Sequence, residues 1–275
     1  MKTFVLTCAL VLTVFCIFLS PLSHAQWIQT TGPGTDAITS FIVRGPTAFA
    51  ATEFGAVYCT SDDGDHWREV DSGLVGAYIW ALTQHGTNLV AATDSGVFTS
   101  TDWGAIWTMR SRGLPRLSIH AIVSDSTNLF AACDSGVFVS KDGAATWHVA
   151  DSGLTTLSVI SLATIGGNVI AGTGTKGMFL SRDDASFWVP IDSIPITYAS
   201  FDVHRLTAFG NSLYAAVRWM PKVVASYGGL FVSTDYGASW VKGFTTGSIE
   251  GCEMYVFDLA SYGPISLKQQ AGERS

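Results

Sequence analysis

The 275 residues carry 22 Asp and Glu against 15 Lys and Arg, a formal net charge of −7, and 48% of them are hydrophobic. An acidic balance disfavours nucleic acid and anionic membrane surfaces as partners. The Cys and His residues are scattered without disulfide or ligand spacing, so neither a disulfide framework nor a metal centre is expected, and no Gly-rich phosphate loop calls for a nucleotide or other cofactor.

Met1-Lys2, an apolar run from Phe4 to Leu19, Pro21 and the small-residue ending Ser23-His24-Ala25 read as a secretory signal peptide, residues 1–25. The run is short for a bilayer span, and no later stretch is longer. A secreted, periplasmic or cell-surface protein with no membrane span after cleavage is therefore expected. Removing Lys2 takes the formal charge from −7 to −8 (−7 − 1).

From there one octapeptide organises the chain. It reads hydroxyl, x, Asp, x, Gly or Ala, x, x, Trp, and occurs at Thr60 to Trp67, Ser100 to Trp107, Ser140 to Trp147, Ser181 to Trp188 and Ser233 to Trp240. The starts are 40, 40, 41 and 52 residues apart (100 − 60, 140 − 100, 181 − 140, 233 − 181). A period near forty in units of short apolar runs and turn residues predicts an all-β propeller of four-stranded antiparallel blades. Asp62, Asp102, Asp142, Asp183 and Asp235 suit a tight turn because their carboxylates accept backbone N–H bonds, and the preceding hydroxyl does the same more weakly. Gly64, Gly104 and Gly237 tolerate positive φ, whereas Ala144 and Ala185 in the same place imply strain or another conformation. Trp67, Trp107, Trp147, Trp188 and Trp240 open the next strand and anchor the hairpin by burial.

Alternation and turn signals place five full blades at about 36–74, 75–115, 116–155, 156–197 and 198–248. In the second, strands are expected at Tyr78 to Gln84, Asn88 to Thr93, Gly96 to Ser100 and Ile106 to Ser111; in the third, at Ile119 to Ser124, Leu129 to Cys133, Gly136 to Ser140 and Thr146 to Asp151. Trp27 to Thr31 aligns with an outer strand and residues 254–262 with an inner one, so a partial sixth blade is expected from 27–31 and 254–262, within one domain spanning 26–275. Pro264 to Ser275 adds no further octapeptide. Two alternatives stay open: a piece of a longer propeller, or a ring closed by a two-stranded blade.

The octapeptide resembles the Asp-box, or BNR, repeat of sialidase-type propellers. In that family the box is a structural turn remote from any active site, so the resemblance implies a fold rather than an activity. The Arg-Ile-Pro type motif of sialidases is missing, Arg44 being followed by Gly45-Pro46. The chain looks more like the non-sialidase, secreted bacterial type.

Functional candidates come from where the repeats diverge. Aligning the inner strands on Ile42, Leu82, Ile122, Leu162, Leu206 and Leu259 puts Ser40, Trp80, His120, Ile160, His204 and Phe257 at one position near an end of the channel. At the next stand Phe41, Ala81, Ala121, Ser161, Arg205 and Asp258. The connection between the second and third strands of the fifth repeat is longer than its siblings and carries Arg218, Trp219, Lys222 and Tyr227. Such loops are often functional. Trp80, His120, His204, Arg205, Arg218, Trp219, Lys222, Tyr227 and Asp258 are the candidate binding residues. The blander reading makes His120 and His204 blade-packing residues and the long connection a tolerated insertion. Most carboxylates, Asp94 and Asp134 among them, are assigned to turns, and no catalytic residue is assigned. The expected function is a non-enzymatic secreted scaffold that binds an unidentified protein or glycan through its loop face. The alternative is a glycoside hydrolase of the sialidase or xyloglucanase type.

Overall fold

In the computed structural model, residues 32, 36–74, 77–191, 201–219 and 227–246 are described. They form five antiparallel sheets, each of four strands in sequence order. Blade 1 comprises β1 (Ile38–Arg44), β2 (Thr47–Thr52), β3 (Val57–Thr60) and β4 (Arg68–Glu69); blade 2 comprises β5 (Ile79–His85), β6 (Asn88–Thr93), β7 (Gly96–Ser100) and β8 (Thr108–Met109). Blade 3 comprises β9 (Ala121–Ser124), β10 (Leu129–Cys133), β11 (Gly136–Ser140) and β12 (His148–Val149); blade 4 comprises β13 (Val159–Ile165), β14 (Asn168–Thr173), β15 (Met178–Ser181) and β16 (Val189–Ile191). Blade 5 comprises β17 (Asp202–Phe209), β18 (Ser212–Trp219), β19 (Tyr227–Ser233) and β20 (Val241–Thr246). Among the described residues the fold is a five-bladed β-propeller. The proposed leader, Trp27 to Thr31 and residues 254–262 lie outside the described residues.

The second and third strands of blades 2 and 3 coincide with the sequence expectation. Their outer strands are shorter than expected, two residues each, because β8 and β12 lie at the rim and pair on one side only.

The blades pack through their faces. Phe49, Val57, Leu89 and Trp107 fill the space between blades 1 and 2, and Val90, Ile119, Phe138 and Trp147 that between 2 and 3. Phe130, Val169, Phe179 and Trp188 join blades 3 and 4, and Ile170, Leu180, Phe231 and Trp240 join 4 and 5. A single blade has no partner for either face, so stability comes from the stacking of neighbours.

The octapeptide is a closed hydrogen-bond unit. In blade 2 the Ser100 hydroxyl donates to Asp102 Oδ1 at 2.7 Å and accepts from the Gly104 amide at 2.8 Å, while the Ile106 amide donates to the same carboxylate oxygen at 2.9 Å. The other four copies repeat all three bonds around Asp62, Asp142, Asp183 and Asp235. Ala144 and Ala185 take the same left-handed backbone as the glycines they replace, at φ +73° and +64°. The hydroxyl bonds to their amides outweigh the Cβ penalty there.

The closing tryptophans reach further than their own hairpin. The indole N–H of Trp107 donates to the carbonyl of Val70, that of Trp147 to Arg110 and that of Trp188 to Ala150, each at the end of the preceding blade's outer strand. Their own amides donate to Ser72, Arg112 and Ser152. Gly73, Gly113 and Gly153 stand directly beside these carbonyls. A Cβ at any of them would lie 2.2–2.3 Å from the Trp107, Trp147 or Trp188 carbonyl oxygen. Trp240 departs from the pattern and donates to Gly237. The Trp67 indole nitrogen is buried with no hydrogen-bond partner among the described residues.

Three outcomes follow from the octapeptide. Ser140→Ala leaves the buried Ala144 amide without its acceptor, and urea denaturation should show a loss of about 1–3 kcal/mol. The Thr146 hydroxyl and amide hold the Asp142 carboxyl down from 3.8 to about 2, and the Ser239 hydroxyl and amide do the same for Asp235. A folded value below the unfolded one gives stability that is complete above the unfolded value and is lost as pH falls through the folded one. The melting temperature should therefore decline between about pH 4 and about pH 2. Thr146→Val should move the Asp142 titration midpoint, followed by NMR, up toward 3.8.

Candidate functional site

A one-residue irregularity recurs at the start of the inner strands. The pairing with the second strand slips between Ile38 and Ser40, Ile79 and Ala81, Val159 and Ser161, and Val203 and Arg205. The extra residues are Thr39, Trp80, Ile160 and His204. His120 holds the equivalent place just ahead of β9, its amide bonded to the Ala132 carbonyl. A bulged residue leaves the ladder and its side chain is re-aimed. All five line one cavity of about 580 Å³ where the inner strands converge.

Four of these five residues stand where the repeat alignment placed them. Blade 1 is the correction. Its second-to-third connection is one residue longer than in blade 2, since Thr52 pairs back to Ala56 where Thr93 pairs to Gly96. Ser40 is therefore equivalent to Ala81 and Ser161 rather than to Trp80, and its hydroxyl turns to the neighbouring blade to accept from the Leu82 amide at 2.9 Å.

The cavity has an aromatic wall. Tyr78 and Trp80 have ring centroids 4.4 Å apart, and His120 stands edge-on to Trp80 at 5.6 Å and 82°. The indole is 36% exposed, so part of it remains open. His120 is largely buried and His204 is exposed, and both line the cavity rather than the interior of a blade.

Blade 5 supplies the charges. Arg218 donates from Nε and Nη2 to Asp202 Oδ2 at 2.8 and 2.5 Å. Asp202 keeps 12% of its side-chain surface, and its Oδ1 is buried with no hydrogen-bond partner among the described residues. Arg205 Nη2 donates to the carbonyl of Thr39 at 3.1 Å, tying blade 5 to blade 1. Both arginines are expected from sequence to serve a partner, and both spend hydrogen bonds inside the protein because the β17–β18 register and the meeting of blades 5 and 1 bring these groups together.

The long connection of blade 5 is partly strand. Trp219 pairs with Tyr227 and Arg218 with Gly228, so β18 and β19 extend beyond their counterparts. Lys222, Phe257 and Asp258 lie outside the described residues. Sequence reasoning missed Tyr78 and the pairing of Asp202 with Arg218. Only the spacing of Tyr78 two residues before Trp80 hints at the first, and the separation of 16 positions between Asp202 and Arg218 conceals the second.

Chemically, the site offers a ring face, two imidazoles and a carboxylate neutralised by a guanidinium. Among the described residues Asp202 is the only carboxylate lining it. No three His, Cys, Asp or Glu side chains among the described residues gather as metal ligands.

No family model matches the chain, and no curated protein matches it. Solved structures share the fold. The GH74 xyloglucanase of Xanthomonas campestris superposes with a TM-score of 0.57 at 16% identity, over 74% of this chain and 38% of the other. The extracellular domain of the one-component system BT4673 of B. thetaiotaomicron gives 0.58 at 14%, over 74% and 27%. YCF48 of Cyanidioschyzon merolae gives 0.50 at 14%, over 75% and 85%. The chain thus spans well under half of the xyloglucanase and most of YCF48.

Removing Arg218 strands the Asp202 carboxylate. Arg218→Ala should cost about 1–3 kcal/mol in denaturant unfolding, below the scale of a fully buried pair because the guanidinium side is partly solvated. Adding Asp202→Asn to that variant should recover part of the loss, since it removes the unpaired charge.

Proposed function

We propose that this chain is a non-enzymatic, secreted binding propeller of the Asp-box type whose cavity at the convergence of the inner strands takes a glycan. The observation that carries the reading is the partly open Trp80 ring between Tyr78 and His120 on the cavity wall. Sugar rings present C–H faces to such a platform, and their hydroxyls suit flanking polar groups. The volume, about 580 Å³, lies in the range of small-molecule sites. The apolar leader and the fold likeness to an extracellular domain support an extracellular setting.

Hydrolysis is the weaker reading. Glycoside cleavage ordinarily uses two carboxyl groups facing one bond. Asp202 is held by Arg218, and no second carboxylate lines the cavity among the described residues. The likeness to GH74 enzymes extends to the fold.

The test is calorimetric titration of residues 26–275 with a panel of soluble neutral and acidic polysaccharides. Wild type should bind at least one, and Trp80→Ala, confirmed folded by its melting curve, should bind it about tenfold more weakly or worse, the scale of an aromatic stacking contact. Binding unaffected by the substitution, or no binding to any member, refutes the proposal. Release of reducing ends by wild type replaces it with the hydrolase reading.

A further inference from the structure

Blades 2 and 3 carry the same pentapeptide from the turn after their second strand into the third, Asp94-Ser95-Gly96-Val97-Phe98 and Asp134-Ser135-Gly136-Val137-Phe138. Identical local sequence predicts identical use of the two carboxylates, and both read as turn residues. The structure separates them. Asp94 accepts from its own turn, where the Ser95 hydroxyl donates to Oδ1 at 3.0 Å. Asp134 faces outward from its turn instead: Oδ1 accepts from the Ser158 hydroxyl, on the approach to β13, at 3.1 Å, and Oδ2 lies 3.3 Å from His120 Nε2. Ser118 stands in blade 3 where Ser158 stands in blade 4, two residues before the bulge position, yet Asp94 takes its bond from Ser95. Two neighbours differ: the residue before the carboxylate, Thr93 against Cys133, and the residue at the bulge, Trp80 against His120, and only His120 is in reach of the carboxylate that leaves its turn.

We infer that Asp134 is a positioning residue for the cavity, holding His120 so that its imidazole accepts a hydrogen bond from a hydroxyl group of a neutral saccharide stacked on Trp80. The inference rests on the glycan reading and narrows it. A carboxylate beside Nε2 favours the tautomer with the proton on that nitrogen, which leaves Nδ1 as the acceptor. The ring is held edge-on to Trp80 at 5.6 Å, so the acceptor and the stacking face keep a fixed relation. The Ser158 hydroxyl removes freedom from Asp134, whose side chain is otherwise 64% exposed and would sample several rotamers. Neutrality of the ligand follows from the wall. The Asp202 charge is matched by Arg218, His120 stands beside a carboxylate, and an acidic sugar placed at His120 would meet Asp134 as a like charge.

Two readouts test this. Long-range proton–nitrogen NMR of uniformly ¹⁵N-labelled residues 26–275, with His120 assigned by His120→Gln, should show the ring protonated at Nε2 near neutral pH. In Asp134→Ala that preference should be lost, and in Ser158→Ala it should weaken. The second readout is calorimetric titration with cellotetraose, a neutral β-1,4-glucan fragment, and with tetragalacturonate. Wild type should bind the neutral probe more tightly, and Asp134→Ala and His120→Ala should each weaken it by about fivefold to tenfold, the scale of one neutral hydrogen bond. The double variant should lose no more than the His120 variant alone. A wild-type ring protonated at Nδ1, an unchanged tautomer in Asp134→Ala, unchanged cellotetraose binding in that variant, or preference for the acidic probe overturns the inference. If wild type binds neither probe while the tautomer shift is present, the saccharide assignment falls and the pairing of Asp134 with His120 stands apart from it.

Discussion

The indole N–H of a closing tryptophan, donated to a carbonyl of the preceding blade, sets how three successive pairs of blades meet. It occurs at Trp107, Trp147 and Trp188, and each time it fixes one sheet against the outer strand of its neighbour. The bond works because the same residue is locked at the end of a hydrogen-bonded octapeptide, so its ring leaves the turn in one direction. It also constrains the facing segment. Gly73, Gly113 and Gly153 approach those tryptophan carbonyls too closely for any side chain, and their φ values of +99°, +96° and +91° favour glycine independently.

That rigid frame frees a different set of positions. The bulge at the head of each inner strand takes one side chain out of the ladder and into the cavity where the strands meet. None of these residues belongs to the hydrophobic clusters between blades, and Thr39, Trp80, His120, Ile160 and His204 differ while the clusters behind them stay alike. A propeller of this kind keeps its turns uniform and places its chemical variety at the inner ends of the strands.

Electrostatics within the cavity are shaped by folding before any ligand arrives. Arg218 and Asp202 lie across from one another on adjacent strands, at paired register positions, and two guanidinium nitrogens donate to the one oxygen Oδ2. Arg205 bonds a backbone carbonyl 166 positions away and serves the junction of blades 5 and 1. A protein with net charge −7 thus presents, at this mouth, a surface whose basic groups already have partners.

Much of the fold was legible because its determinants are local. A hydroxyl, a carboxylate and an amide within the same octapeptide make every bond of the turn, and strands such as Asn88–Thr93 and Gly96–Ser100 lie between turns that bound them on both sides. The repeat also marked Trp80, His120 and His204 as divergent, since comparison of units needs no knowledge of where the units sit. Other features needed the three-dimensional ring. One extra residue between β2 and β3 moved the equivalent position in blade 1 from Ser40 to Thr39, which no local pattern signals. Asp94 and Asp134 open the same pentapeptide, yet only Asp134 meets His120 of its own blade and Ser158 of the next. The partner of a side chain 16, 24 or 166 residues away is chosen by strand register and blade packing, and tertiary structure alone decides those.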